Sequence, residues 1–201
     1  MSTNFMARDL AKRASIGSRA FWVTILVVAL LISVLEPCRG NPNGYVEPEN
    51  CKRLECPRYQ VVLRLKECEI RSYKLASWIA TSPIHSHSYT DAVSQGFSTL
   101  YGYIQGNNNQ RAQMNMTAPV LVDVVPSESA TNTSYIVHFY LPHKYQTNPP
   151  LSRAAHPVKL PEHHQYAAVR RFGGFMADAD VPPQVSALRR CVVGSRWELP
   201  E

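Results

Sequence analysis

The chain has 201 residues, of which 45% are hydrophobic and 18% charged, and this is enough for one domain with a hydrophobic core. The formal net charge of +6 is shared between residues 1–20, with four basic side chains against one acidic, and residues 41–201, with 16 basic against 13 acidic. Residues 41–201 contain no long run of Lys and Arg, so the composition excludes nucleic acid as an expected partner.

Residues 1–40 are predicted to form a signal peptide or a signal anchor. A basic segment precedes fifteen uncharged residues at 21–35, FWVTILVVALLISVL, which favour an apolar helix. This length is typical of a signal peptide and is below the roughly 20 residues that a membrane span prefers. Cleavage before Asn41 predicts a secreted or vacuolar protein, and an uncleaved anchor through 21–35 predicts a single-pass membrane protein. Both interpretations place the rest of the chain in the secretory pathway.

Cysteines and sequons fit that pathway. If Cys38 leaves with the leader, four cysteines remain and allow three pairings. Cys51 and Cys56 are close in sequence and are predicted to pair first. Asn115 and Asn132 both begin glycosylation sequons, and Asn132, in a Ser/Thr-rich loop, is expected to be the better acceptor.

After a flexible spacer at 41–55, alternating apolar residues predict strands at 59–65, 69–73 and 77–81. A helix is predicted at 88–105. Ser88 or Thr90 can cap its start, and Gly106 can end it.

The spacing of five apolar residues places them on one face of this helix. They are Val93, Phe97, Leu100, Tyr101 and Ile104. Extended chain containing Met114 and Met116 follows. The helix and this Met segment are expected to form one wall of an apolar groove, with an ordinary helix-on-sheet core as the alternative.

Further strands are predicted at 120–125, 135–141, 158–160 and 166–172, and a second helix begins at 182–183 and ends at Gly194. The order strand, strand, helix therefore occurs twice, about 90 residues apart, which is typical of a pseudo-twofold repeat. We expect an α+β domain in which an antiparallel sheet curls around two helices, preceded by the N-terminal hydrophobic helix.

Several motifs occur together in a familiar order: CPRYQVV, EIRSY, GFSTLYGYIQGNN, MNMTAPV and AVRRFGGF. In this order and spacing they resemble the SOUL/haem-binding-protein family, most closely its plant members. The resemblance covers residues 56–194. It implies a distorted antiparallel β-barrel with two helices, which binds haem or another tetrapyrrole in a hydrophobic surface groove.

The resemblance also implies site residues. The first helix lines the groove in family members, which corresponds to Val93, Phe97, Leu100, Tyr101 and Ile104 in this chain. Met114 and Met116 lie on the adjacent segment of the family pattern. Because haem carries propionates, Arg111 is a candidate cationic partner, as are Arg170 and Arg171. Ser72 stands where some animal members have a histidine proposed as an axial ligand.

The sequence departs from the family pattern at its end. Family domains continue into two more strands after the second helix, but this chain stops seven residues after Gly194. The domain at 56–201 is therefore expected to be C-terminally incomplete and to expose a sheet edge, where a protein partner could pair.

No catalytic or metal site is predicted. The sequence lacks G-x-S-x-G, H-E-x-x-H, P-loop and G-x-G-x-x-G motifs, and His85 and His87 have no further ligand at suitable spacing. Cys68 and Cys191 lie in apolar patterns typical of buried, inert cysteines. The predicted function is a tetrapyrrole carrier, buffer or scavenger, and the alternative is a protein-interaction module that keeps the fold without binding haem.

Overall fold

The computed structural model describes residues 47–125, 133–161 and 165–198, together with the backbone of residues 3–7. The hydrophobic helix predicted at 21–35 lies outside these residues. Among the helices that are described, none combines the length and the apolar character needed to cross a membrane.

Nine strands and two helices make up the described fold. The helices are α1 (Tyr89–Ile104) and α2 (Val181–Val192). The strands are β1 (Thr3–Ala7), β2 (Tyr59–Arg64), β3 (Glu69–Tyr73), β4 (Ala76–Ala80), β5 (Ile84–Ser86), β6 (Val120–Val125), β7 (Thr133–Tyr140), β8 (His156–Leu160) and β9 (Tyr166–Phe172).

The strands form two antiparallel sheets that share one ribbon. One sheet has the order β1-β9-β3-β2, and the other has the order β5-β7-β4-β8 with β6 also paired to β7. β3 pairs with β9 and β4 pairs with β8, so the ribbon of β3–β4 against β8–β9 runs through both sheets. The strands that precede the two helices in the predicted repeat, β3–β4 and β8–β9, thus pair with each other. The predicted α+β class, with a curled antiparallel sheet and two helices, is confirmed.

Each helix covers the outer face of one sheet. On the five-stranded sheet, Leu100 and Tyr103 of α1 join Val137 and Phe139 of β7 in the largest buried cluster. On the four-stranded sheet, Leu188 and Val192 of α2 pack around Ile70. Burial of these apolar side chains is the main force that holds the helices in place.

Two disulfides reinforce this arrangement. Cys51, in a short 3₁₀ helix at Glu49–Lys52, is bonded to Cys56, as predicted. Cys68, just before β3, is bonded to Cys191 of α2. The sequence left the pairing of Cys68 and Cys191 open, and this bond links α2 covalently to the sheet beneath it.

Three local features add to these expectations. The Met segment is not a strand of a sheet, because only single bridges, at Gln113 and Thr117, anchor it. The turn before α1 contains the short strand β5, which pairs with β7. Asn115, expected to be the poorer sequon, has an exposed side chain, whereas Asn132 lies outside the described residues.

Candidate functional site

The start of α1 is fixed by two side chains. The Ser88 hydroxyl accepts a hydrogen bond from the Asp91 backbone N–H at 3.1 Å and donates one to Asp178 Oδ2 at 2.9 Å. The other oxygen of Asp178 accepts from the Thr90 backbone N–H at 2.9 Å. These hydrogen bonds hold the pKa of Asp178 below its ordinary value, chiefly through Thr90 and then Ser88. A carboxylate at a helix N-terminus also compensates the helix dipole. The orientation of α1 thus depends on a residue 90 positions away.

The buried face of α1 differs from the face predicted from the sequence. Its buried residues are Tyr89, Ala92, Gly96, Leu100, Tyr103 and Ile104. Of the five predicted groove residues, Leu100 and Ile104 are therefore in the core, at 0% and 3% exposure. The cause is Gly96: a Cβ built on it would lie 2.3 Å from Val137 Cγ2, so the helix approaches β7 through its small residues. Phe97 and Tyr101 lie on the exposed flank of the helix.

Phe97 and Tyr101 form an exposed aromatic pair on this flank of α1. Their side chains are 37% and 47% exposed. The two rings are stacked, with centroids 6.0 Å apart and planes inclined by 12°. Phe97 also makes an edge-to-face contact with buried Phe139, at 5.2 Å between centroids. The pair thus exposes apolar ring surface to solvent while it is anchored to the core.

The remaining apolar candidates, Val93, Met114 and Met116, are more buried than the aromatic pair. Val93, one turn before Phe97, is half-buried against the cluster around Tyr135. Met114 is buried, and its backbone N–H donates to the Ile104 carbonyl at 2.8 Å. Met116 is half-buried against the cluster that contains Leu100. The structure therefore brings the Met segment against α1, but it places Met114 inside the core.

Arg111 lies in the turn that ends α1. Gly106 has a φ of 106° and Arg111 has a φ of 50°, both in the left-handed region. The Asn108 side chain holds the turn by donating to the carbonyls of Tyr103 and Ala112. The Arg111 side chain is exposed. The structure thus places a cation at the C-terminal end of the helix that carries the aromatic pair.

The other cationic candidates lie on the other sheet. Arg170 of β9 contacts Gln184 of α2, and Arg171 Nη2 donates to the Tyr59 hydroxyl at 3.3 Å. Because α1 packs on the five-stranded sheet, Arg170 and Arg171 are not part of the surface around Phe97.

Two histidine side chains have polar partners of their own. His138 is 4% exposed, and its Nε2 lies 3.1 Å from Asp123 Oδ2. The His85 ring contacts the Ser134 hydroxyl at 2.8 Å. No three His, Cys, Asp or Glu side chains of the described segments are grouped closely enough to hold a metal ion.

Sequence reasoning did not identify Phe139, which anchors the aromatic pair. The sequence gives little indication of its role, because β7 is almost continuously apolar and no alternation marks the residues that face α1. Only the pairing of β7 with β4, β5 and β6 shows which side chains face α1.

Comparison with known proteins gives matches over most of the described part of the chain. A family model described as "SOUL heme-binding protein" matches residues 54–198. Heme-binding protein 2 of Mus musculus is 34% identical over 108 residues, which are 53% of this chain and 52% of that protein. Heme-binding protein 1 of Xenopus laevis is 29% identical over 126 residues, which are 62% of this chain and 65% of that protein. The chain thus spans about half to two thirds of the length of these relatives.

Proposed function

Because this chain belongs to the SOUL heme-binding protein family, we propose that it binds haem or another tetrapyrrole reversibly on the outer flank of α1. The observation that carries the proposal is the stacked pair of Phe97 and Tyr101, which remains exposed although the other large apolar side chains of α1 are buried or half-buried. A flat macrocycle that covers the pair would remove two aromatic rings from water.

In this proposal each predicted residue has a physical role. Phe97 and Tyr101 contact the face of the ligand, and Val93 and Met116 border it. Leu100, Ile104 and Met114 act indirectly, since their burial fixes the helix. Arg111 provides a cation for a propionate at the rim. Affinity is expected to come mainly from buried area and shape.

A titration of the purified full-length chain with ferric haem and with metal-free protoporphyrin tests this proposal. We expect comparable affinities for the two ligands, because the contact is with the ring and not chiefly with the iron. Tyr101→Ala should weaken both by about fivefold, as expected for the loss of one aromatic contact worth about 1 kcal/mol. Phe97→Ala should weaken both at least as much.

Phe175→Ala is the matched control. Phe175 is also an exposed aromatic residue, at 87% exposure, but it lies between β9 and α2. Its replacement should leave both affinities unchanged. If the folded chain bound neither ligand, the proposal would be wrong, and the exposed pair would then favour the alternative function as a protein-interaction module.

We further propose that the chain acts in the secretory pathway as a carrier, buffer or scavenger without catalysis. Two disulfides support an oxidising compartment. The exposed Asn115 side chain is accessible for glycosylation in that compartment. The leader at 1–40 is proposed either to be cleaved, giving a secreted or vacuolar protein, or to anchor the chain through 21–35. Mass spectrometry of the N-terminus and of Asn115 from a eukaryotic host distinguishes these forms.

A further inference from the structure

An open groove lies beside the turn between β3 and β4, apart from the flank of α1. It has a volume of about 880 Å³, within the range of about 300–1,000 Å³ that is typical of ligand-binding pockets. Phe97 and Tyr101 are not among its lining residues, so the groove is separate from the aromatic pair. Its walls are formed by Glu47, the loop at 51–58, the turn at 74–76, residues between 140 and 147, and Lys159 of β8.

The lining of this groove is basic. Its acidic side chains are Glu47 and Glu55, and its basic side chains, all of them exposed, are Lys52, Arg53, Arg58, Lys74 and Lys159. Residues 41–201 as a whole have 16 basic and 13 acidic side chains, so those outside the groove balance at 11 of each sign. The entire net positive charge of this part of the chain is therefore concentrated at one concavity, which favours an anionic ligand there.

Three of these cations are available to a ligand. Arg53, Arg58 and Lys74 form no ion pair with a carboxylate of the described segments, whereas Lys52 Nζ pairs with Glu49 Oε2 at 2.7 Å. The three belong to separate segments, the loop before β2 and the turn between β3 and β4, and line the same groove. Because a cleft focuses the field of its charges, cations in this setting attract an anion more strongly than cations dispersed over a convex surface.

Internal hydrogen bonds fix the walls of the groove. Glu55 Oε2 accepts from the His143 backbone N–H at 2.6 Å, which ties the loop before β2 to the segment after β7. Lys159 Nζ donates to Ser77 Oγ at 2.6 Å and to the Gln146 carbonyl at 3.2 Å. These contacts form the groove before a ligand binds, and such preorganisation lowers the entropic cost of binding.

A large apolar side chain lies among these cations. Leu75, next to Lys74, is 63% exposed, and Leu54, next to Arg53, is half-buried in the same lining. Sulfate and phosphate groups cannot remove such a side chain from water, whereas a peptide can present carboxylates and an aliphatic side chain at adjacent positions. The combination of unpaired cations and an exposed leucine therefore matches an acidic peptide better than a saccharide or inorganic polyanion.

We propose that this groove binds an acidic segment of a partner protein, with carboxylates at Arg53, Arg58 and Lys74 and an aliphatic side chain on Leu75. The planar guanidinium of each arginine can bind a carboxylate through two hydrogen bonds, and the lysine provides a point charge. Because the cations are exposed, binding is expected to depend strongly on salt. The site does not depend on tetrapyrrole binding.

Fluorescence anisotropy of two labelled peptides, titrated with the full-length chain, tests the proposal. The probes are DEDLEDE and its neutral counterpart NQNLQNQ, which keeps the length and the leucine. We expect DEDLEDE to bind at least about tenfold more tightly at low ionic strength, since each of three exposed ion pairs contributes up to a few-fold. This preference should largely disappear at about 1 M salt, where charges are screened beyond about 3 Å.

Variants with matched loss of charge locate the site. Arg58→Gln/Lys74→Gln should weaken binding of DEDLEDE at least about fivefold. Arg189→Gln/Arg190→Gln removes the same charge from exposed positions on α2 and should leave the affinity unchanged. All four side chains are exposed, so both variants are expected to fold.

A third variant separates a peptide from other polyanions. Leu75→Ser should weaken DEDLEDE about threefold but leave the affinity for DEDSEDE unchanged, because only the first peptide has an aliphatic side chain to bury. The proposal is overturned if the wild type binds DEDLEDE no better than NQNLQNQ, or if the α2 variant loses as much affinity as the groove variant. Tighter binding of a heparin hexasaccharide, with no effect of Leu75→Ser on either peptide, would also overturn it in favour of a sulfated saccharide. Tyr101→Ala should bind DEDLEDE like the wild type, since the α1 flank is not involved.

Discussion

Replacement of Gly96 by alanine should destabilise the protein because α1 and β7 are too close for a methyl group. The added Cβ would lie 2.3 Å from Val137 Cγ2, 2.8 Å from Val137 Cβ and 3.2 Å from Ile84 Cδ1. Non-bonded carbon atoms are normally about 3.5–4.0 Å apart. Val137 is 0% exposed, so its side chain has no free space into which it could move.

Two effects of opposite sign decide the magnitude. Alanine stabilises a helix relative to glycine by about 1 kcal/mol. Overpacking a buried contact typically costs about 1–3 kcal/mol, and the overlap at Gly96 is large enough to favour the upper end of this range. We therefore expect Gly96→Ala to lower the free energy of unfolding by about 2 kcal/mol.

Gly102→Ala provides the matched control in the same helix. A Cβ at Gly102 would have no neighbour within 4 Å, so only the gain in helix propensity applies. This variant should be more stable than the wild type by about 0.5–1 kcal/mol. Urea denaturation of the full-length chain, followed by far-UV circular dichroism, measures both changes.

A double-mutant cycle identifies the contact itself. Val137→Ala removes Cγ2, the atom closest to the added Cβ, so it should cost less stability in the Gly96→Ala background than in the wild type. The reasoning is refuted if Gly96→Ala is as stable as the wild type. It is also refuted if Gly102→Ala is destabilised to the same extent, because the cause would then not be the distance to β7.

The remaining predictions concern pH and redox state. Asp178 has a lowered pKa in the folded chain, so it stabilises the fold above its ordinary value of 3.8, and this contribution is lost as pH falls through the lowered pKa. Asp178→Asn should therefore flatten the acid limb of a stability–pH curve, and an unchanged limb would contradict this. Opening the Cys68–Cys191 bond, which spans 123 residues, should cost about 5 kcal/mol, against about 2 kcal/mol for the five-residue Cys51–Cys56 loop. Urea denaturation of the Cys68→Ser/Cys191→Ser and Cys51→Ser/Cys56→Ser variants measures both losses of stability. A larger loss for the Cys51–Cys56 loop would contradict this order.

The sequence predicted where the helices and strands lie better than it predicted which of their faces are buried. The two-residue alternation of β3 and β9 and the Ser88 cap of α1 depend on local chemistry, and their positions were predicted within one or two residues. The inward face of α1 was not, because an apolar pattern gives most weight to large side chains such as Phe97. A close approach of helix and sheet instead favours Ala92 and Gly96, which carry little or no side chain.

Long-range contacts also escaped the sequence analysis. Nothing local indicates that Asp178 caps α1, since this contact depends on the curl of the complete sheet. Within the EIRSY motif, nothing in the sequence indicates that the Arg71 side chain is buried. Its burial follows from the position of β3 between β2 and β9, which is a property of the topology and not of the motif.

The central claim is that a tetrapyrrole contacts the exposed flank of α1. Methyl NMR spectra of the full-length chain, recorded with and without metal-free protoporphyrin, test this most directly, because the porphyrin ring current shifts the resonances of nearby methyl groups. We predict large shifts for Val93, beside Phe97 and Tyr101, and none for Leu121 or Leu160 between the sheets. Large shifts of Leu121 and Leu160 with Val93 unmoved would contradict the account.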